Sequence, residues 1–460
     1  MKLKVENLAR IKNAEVEIKN LTLFVGQNST HKSYLAHVVY ELFKEIGNLG
    51  HNHVSKLKFS SIISRKIHQN FREDIEYILS LKRELYEHEV PNQVAEDEYE
   101  LEIYTRMKIH LGSDNSRLKV LLEKIHKVIL EELAKKINTS FNTNKQIIDA
   151  LSLENTYDIL NQAYLELFFG MPLEYFEENK DEISNKILNT LTDNMITNLQ
   201  TSLEGYNESY YFPASRTGFV LTLDEIYAGI FRDKFRGQVS ATRLGEPTID
   251  FVQTFADMKS GLFEKHNFLF FKPNNNNQLI SFLEKNIIKG KIKEITNDQD
   301  YTSYYLNVDG EELDLHLSSS ATLETLPFIV FLKNMQDISK TFFVIEEPEA
   351  HLHPKAQIQM AKFLVMLTNA GAKVLVTTHS DYILNEINNC IKLDSIDNMD
   401  ELSISKDKVS SYLLKNEDTI TTVNSLEIDK FGIANDNFDE VLDELLERSS
   451  ELSEKIVDGE

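Results

Sequence analysis

Two short apolar runs constrain this chain more than any other feature. "TFFVIEEPEAHLHP" and "KVLVTTHS" each carry a run of consecutive β-branched, aromatic or leucine residues and end abruptly in polar ones. An alternating pattern would mark a half-solvated strand, whereas a continuous apolar run bounded by polar residues marks a strand covered on both faces. The amphipathic helix pattern "PKAQIQMAKFLVMLTN" lies between them. Strand, helix, strand is the unit of an α/β architecture with a parallel sheet. Ligands of such sheets gather at the carboxyl ends of the strands. Here those ends carry Glu346 and Glu347 on the first strand and His379 on the second.

A third strand of this kind stands near the start of the chain, after shorter strand patterns at Leu3–Val5 and Ala14–Ile18. In "LTLFVGQNSTHKSYLAHVVYELFK", residues 21–44, a buried strand runs into a helix with Leu35, Val38, Val39, Leu42 and Phe43 at helical spacing. Between them stands Gly26-Gln27-Asn28-Ser29-Thr30-His31-Lys32-Ser33, close to the phosphate-binding pattern G-x-x-x-x-G-K-[ST] except that His31 replaces the second glycine. A phosphate loop needs amides converging at a helix start, a lysine for the outer phosphates and a hydroxyl for Mg²⁺. Gly26, Lys32 and Ser33 stand at the required offsets. Taken alone, the segment also reads as an ordinary strand-to-helix turn. A side chain at position 31 is accommodated if that residue has already entered the helical conformation.

The strand-end residues supply the remaining chemistry. An acid there can hold Mg²⁺, and its neighbour can orient or deprotonate attacking water. Glu346 is the candidate metal-side acid and Glu347 the candidate water-activating one. His379, 32 residues beyond Glu347, falls on the adjacent edge of the same sheet, within reach of a γ-phosphate or the water. Ser318, Ser319 and Ser320 precede a helix and form a candidate second anion site; a plain N-cap at Ser320 explains the same residues. Arg216, in "YYFPASRTG", is read either as a phosphate contact or as a structural arginine.

The rest of the chain sets the organisation. Residues 51–205 are rich in long, charged, amphipathic segments nearly free of glycine and proline, which read as a helical insertion. "KGKIKEITNDQDYTSYYLNVDGEELDLHLSSS" reads as an antiparallel meander with a turn at Asp309-Gly310. Net charge is −24, and residues 391–460 contribute 19 acids against 7 bases. This argues against a protein that grips nucleic acid over most of its surface. That segment reads as a small strand pair followed by an acidic helix. The single cysteine, Cys390, excludes an internal disulfide framework, and no apolar run suits a signal peptide or membrane span. A cytoplasmic location is expected. No zinc spacing, Cys–His pair or His-Asn-His pattern marks a second catalytic centre.

Together these segments resemble the ATPase heads of the ABC superfamily, in the SMC-, RecF- and OLD-like branch. "GQNSTHKS" looks like Walker A, "FFVIEEPEAHLHP" like Walker B with its D-loop, "LSSSATLETL" like the signature motif and "VTTHS" like the switch histidine. The resemblance implies an α/β fold: an ABC-type P-loop head with an antiparallel β subdomain, carrying a large α-helical insertion. Head segments would be 1–50 and 206–390, the insertion 51–205, and an acidic strand/helix region 391–460. It further implies that Gly26, Asn28, Ser29, Thr30, His31, Lys32 and Ser33 bind ATP, with Ser33 and Glu346 on Mg²⁺ and Glu347 and His379 catalytic. Two heads would sandwich the nucleotides, Ser318, Ser319 and Ser320 of one meeting the γ-phosphate held by the other. His351 and His353 would belong to the D-loop rather than to a metal site.

"YYFPASRTG" also looks like a segment of bacterial ATPases from anti-phage defence systems of the PARIS, Septu or retron-associated type. That implies a sensor subunit in a homo-oligomer, gating a separate effector such as a nuclease, triggered by DNA or a phage protein, without a membrane. No TOPRIM domain is expected, because only about 80 residues follow His379. A DNA-repair or chromosome-maintenance ATPase, and a nucleotide-stabilised scaffold with little turnover, are the alternatives. The departures at His31 and Ser320 predict secure nucleotide binding and slow hydrolysis.

Overall fold

Strands covered on both faces form part of the core of one compact unit, as the apolar runs require. The computed structural model describes residues 1–51, 59, 62–63, 117–140, 150–153, 206, 208–223, 225–226, 244–260, 276–297, 302–335, 337–396, 401–434, 446–453 and 455. In chain order the main strands are β1 (Lys2–Leu8), β2 (Ile11–Glu17), β3 (Leu21–Val25), β4 (Ala150–Leu153), β5 (Glu208–Phe212), β6 (Lys291–Thr296), β7 (Thr302–Val308), β8 (Glu311–Asp314), β9 (Thr341–Glu346), β10 (Lys373–Thr378), β11 (Val409–Glu417) and β12 (Ile420–Ser425).

The chain divides into two compact units. The first comprises Met1–Ala9, Asn13–Glu15 and Val38–Ser209. Within it β1 pairs antiparallel with β4, from Leu3 opposite Leu153 to Glu6 opposite Ala150. The helix Arg117–Ser140 carries Lys136, which forms an ion pair with Glu45. The described part of the segment read as a helical insertion therefore holds a strand as well as a helix. Most of that insertion lies outside the described residues.

The second unit comprises Arg10–Lys12, Val16–His37 and Tyr210–Glu460. Its sheet runs β2-β12-β11-β3-β10-β9-β5. Neighbours β11, β3, β10 and β9 are parallel, and β12 returns antiparallel to β11, so the sheet is mixed. Every residue of β3, β9 and β10 is buried. Register decides where the strands end. Thr378 lies opposite Val25, and Thr377 opposite Glu346. Gly26, Glu347 and His379 therefore leave the sheet side by side along one edge. The strand pair read near the C-terminus is present, and β11 lies directly against β3.

The meander β6-β7-β8 forms a separate antiparallel sheet. Asp309 and Gly310 both have positive φ, 52° and 94°, as a two-residue hairpin turn matching the strand twist demands. The helix Ser320–Asn334 is buried from Thr322 to Leu332. Its Phe328 and Phe331 pack on Phe212 of β5, with ring centroids 4.6 and 4.7 Å apart. Such contacts bury large aromatic area and fix the helix against the sheet. Among the described residues, no helix is long and apolar enough to cross a membrane.

Candidate nucleotide site

The loop after β3 is shaped by its first residue. Gly26 has φ 149°, and a Cβ there would lie 2.3 Å from the Leu414 carbonyl oxygen of β11. Only glycine lets the chain leave the sheet so close to its neighbour. Thr30 Oγ1 then donates to the Gln27 carbonyl at 2.8 Å, tightening the turn. The helix Lys32–His51 follows, with Leu35 N donating to His31 O at 3.2 Å.

Ser29 and His31 both occupy the left-handed region, at φ 63° and 64°. The condition under which a side chain at position 31 is accommodated, entry into the right-handed helix, is therefore not met: His31 holds left-handed backbone, which glycine adopts most readily. Left-handed backbone costs a non-glycine residue on the order of 1 kcal/mol or more, and something must hold it. A side-chain relay from the β11–β12 hairpin does so. Asn416 Nδ2 donates to Ser29 O at 3.2 Å, Thr421 Oγ1 donates to Asn416 Oδ1 at 2.8 Å, and His31 Nδ1 lies 3.0 Å from Thr421 Oγ1. The single hydroxyl proton is used on Asn416, so His31 must donate through a protonated Nδ1. Burial first, and the nearby Arg10 charge second, hold His31 below the ordinary histidine range. The ring of Tyr34 meets that of His31 edge-on at 5.7 Å.

Lys32 donates to the carbonyls of Gly26 and Gln27, both at 2.7 Å, inside its own loop. Burial lowers its pKa, opposed by the charges of Glu347, Glu349 and Glu346 in that order. Glu346 is itself buried, and desolvation raises its pKa against hydrogen bonds from Ser33 and Tyr211. Its Oε1 has no hydrogen-bond partner among the described residues. An unpartnered buried carboxylate oxygen beside a hydroxyl suits a hard cation such as Mg²⁺. No cluster of three or more His, Cys, Asp or Glu able to hold an ion occurs among the described residues. Ser33 and Glu346 thus fit an ion whose other ligands are phosphate oxygens and water, the usual state of Mg²⁺.

Glu347 is a further non-glycine residue with positive φ, at 41°. Its N–H donates to Thr377 O at 2.9 Å. His379 Nδ1 lies 3.8 Å from Glu347 Oε1 and 3.5 Å from Glu349 Oε1. The Glu347 and His379 side chains are 33% and 39% exposed, against 4% for Glu349. Sequence reasoning passed over Glu349, although it stands inside the "EEPEAHLHP" segment. Its Oε1 accepts from Thr378 Oγ1 at 2.7 Å and from His379 N at 2.8 Å, so it fixes the turn that presents the histidine.

Asn28 to Tyr34, Glu347 and His379 line one open cavity of about 610 Å³, the size of a small-molecule site. Ser318, Ser319 and Ser320 are not among its lining residues. The N-cap of their helix is Ser319, whose Oγ accepts from Thr322 N, rather than Ser320. Ser319 and Ser320 are exposed beside Leu317, which is 77% exposed. Arg216 is fully buried, which excludes a direct phosphate contact. His353 caps the helix Pro354–Asn369 by accepting from Lys355 N, and His351 is exposed at φ 56°. A smaller cavity of about 400 Å³, bordered by Asn276, Asp337, Asn369 and Glu401, contains none of these residues.

This arrangement is that of a P-loop nucleotide site. The chain belongs to the AAA ATPase domain family, whose model matches residues 1–384. No curated protein matches it. Among solved structures it is similar to an Smc head bound to the C-terminal winged-helix domain of ScpA, at 13% identity and TM-score 0.36, covering 93% of this chain and 98% of that one. A Pyrococcus furiosus Smc head with an extended coiled coil, bound to the C-terminal domain of ScpA, is similar at 12% identity and TM-score 0.33, covering 96% and 98%. A Pyrococcus yayanosii Smc head with coiled coil and joint is similar at 11% identity and TM-score 0.32, covering 94% and 97%.

Proposed function

We propose that this protein is an ABC-type ATPase that binds ATP tightly, hydrolyses it slowly and works as a pair of heads. The observation that carries the reading is the alignment of three strand ends, which brings the phosphate loop, Glu347 and His379 around one cavity. The loop amides from Asn28 to Ser33 and the Lys32 ammonium bind the phosphates, Lys32 exchanging its carbonyl partners for phosphate oxygens. Ser33 and Glu346 would hold Mg²⁺, which would supply neutralisation of phosphate charge. Glu347 accepts the proton of the attacking water, and His379, set between Glu347 and Glu349, orients that water or the γ-phosphate. Ser319 and Ser320, which are exposed, and the half-buried Ser318 are absent from this cavity and serve the nucleotide of a second copy. His31 in place of glycine leaves the loop more crowded and turnover slow.

At the level of biology, the head acts as the sensor subunit of a bacterial anti-phage complex and gates a separate effector such as a nuclease. The resemblance of "YYFPASRTG" supports this role. The test has two stages. Purified protein should hydrolyse ATP with Mg²⁺, and Glu347→Gln should cut turnover by about a hundredfold or more while ATP still binds. Wild-type protein that binds ATP without turnover would establish the scaffold reading instead. Turnover altered by a phage protein, or co-purification with a nuclease, supports defence; stimulation by DNA alone moves the assignment to repair or chromosome maintenance.

A further inference from the structure

Arg216 takes no part in the chemistry above, yet it is the bulkiest fully buried side chain among the described residues. Its Nη1 donates to the carbonyls of Pro213 at 2.9 Å and Glu346 at 2.7 Å, and its Nη2 to that of Glu347 at 3.1 Å. Its Nε lies 3.0 Å from Glu324 Oε2, with both side chains 0% exposed. The other Glu324 oxygen accepts from Thr217 N at 3.2 Å and Thr217 Oγ1 at 2.7 Å. Phe328, one turn further along the same helix, places its ring centroid 5.5 Å from the guanidinium carbon. Burial pushes the arginine pKa down and the Glu324 charge is the foremost opposing influence; a guanidinium stays charged in either case.

The two acceptors on the acid pair have a geometric meaning. The Glu346 carbonyl belongs to the peptide before the Glu347 Cα, and the Glu347 carbonyl to the peptide after it. One planar, rigid fork holding both oxygens fixes both dihedrals of Glu347. Of the two acids, Glu347 is the one with positive φ, at 41°. We propose that Arg216 is a positioning residue: it pins the peptides on both sides of Glu347, aims the carboxylate into the cavity, and through Glu324 ties that aim to the helix Ser320–Asn334. A shift of this helix, whose first turn is exposed at Ser320, moves Glu347 as well.

The catalytic part of this inference rests on the ATP-hydrolysis reading, so the test carries a readout that does not. Arg216→Lys keeps the buried charge and loses the fork. It should remain folded by thermal melting and bind ATP within about threefold of wild type. Single-turnover hydrolysis should fall by about ten- to a hundredfold, since small misplacements of a reacting group cost that much. Amide hydrogen exchange in the peptide around Glu346–Glu349 should accelerate at least about tenfold, with the phosphate-loop peptide unchanged. Should the lysine variant not fold, Glu324→Gln is judged by the same measurements. Binding and turnover that fall together, or exchange near Glu347 that matches wild type, overturn the proposal. A wild-type enzyme without turnover overturns the hydrolysis reading alone, and the exchange result then decides whether Arg216 sets Glu347.

Discussion

His31 and Glu347 face the same cavity, and both hold backbone that suits glycine, but they are held by opposite means. His31 is secured from outside, by a neutral relay through Thr421 and Asn416 on a partly exposed hairpin. Glu347 is secured from inside, by a buried guanidinium acting on backbone oxygens. A relay of neutral hydrogen bonds near solvent is worth about 1 kcal/mol per link. A buried ion pair contributes little net stability against an apolar substitute, yet breaking it from one side is costly. The loop is therefore adjustable and the acid is not. That division suits a site in which nucleotide must enter and leave while the carboxylate proposed to activate water keeps one direction.

The largest effect that separates the two devices is loss of the buried one. Arg216→Met leaves Glu324 buried without its cation, which should cost about 3–5 kcal/mol in denaturant unfolding. A cost below about 1 kcal/mol would place the two devices on an equal footing and dissolve the contrast. Next comes Gly26→Ala, at the start of the loop. A Cβ 2.3 Å from the Leu414 carbonyl, with φ at 149°, forces β3 and β11 apart. The expected loss is about 2 kcal/mol or more, with ATP affinity reduced as the loop is displaced. Wild-type affinity in that variant would show that the loop is not set by its contact with β11.

How much of this was legible from residues alone follows the range of each interaction. The three strand ends are legible because continuous apolar runs declare buried strands, and polar residues mark where each stops. Lys32, Ser33, Glu346 and Glu347 are legible because local spacing sets their chemistry. The supports are not. Arg216 acts on a carbonyl 130 residues away, and His31 finds Thr421 across 390 residues. No local pattern encodes those pairings; they follow from sheet order, which puts β11 beside β3. Glu349 had a local signal, its place two residues after the acid pair, but its task of holding the His379 amide depends on β9 and β10 being neighbours. The left-handed state of His31 was hidden for the same reason, since Thr421 of the hairpin that holds it lies 390 residues further along the chain.

The smallest expected effect is also the sharpest probe of the loop. His31→Gly removes left-handed strain of about 1 kcal/mol and forfeits a hydrogen bond of similar worth, so stability should change by less than about 1 kcal/mol. ATP binding should persist and hydrolysis should be equal or faster, because a less crowded loop resembles the ordinary phosphate-binding pattern. Thr421→Val in the wild-type background strands the Nδ1–H of His31 and should cost about 1 kcal/mol, while in the His31→Gly background it costs less. The resulting double-mutant coupling should be about 0.5–1 kcal/mol. A large loss of ATP binding in His31→Gly would mean that the imidazole itself contacts nucleotide, and that the hairpin relay holds a ligand group rather than a strained turn. Zero coupling with intact binding would mean that the turn is held by its own backbone, and that the hairpin merely lies against it.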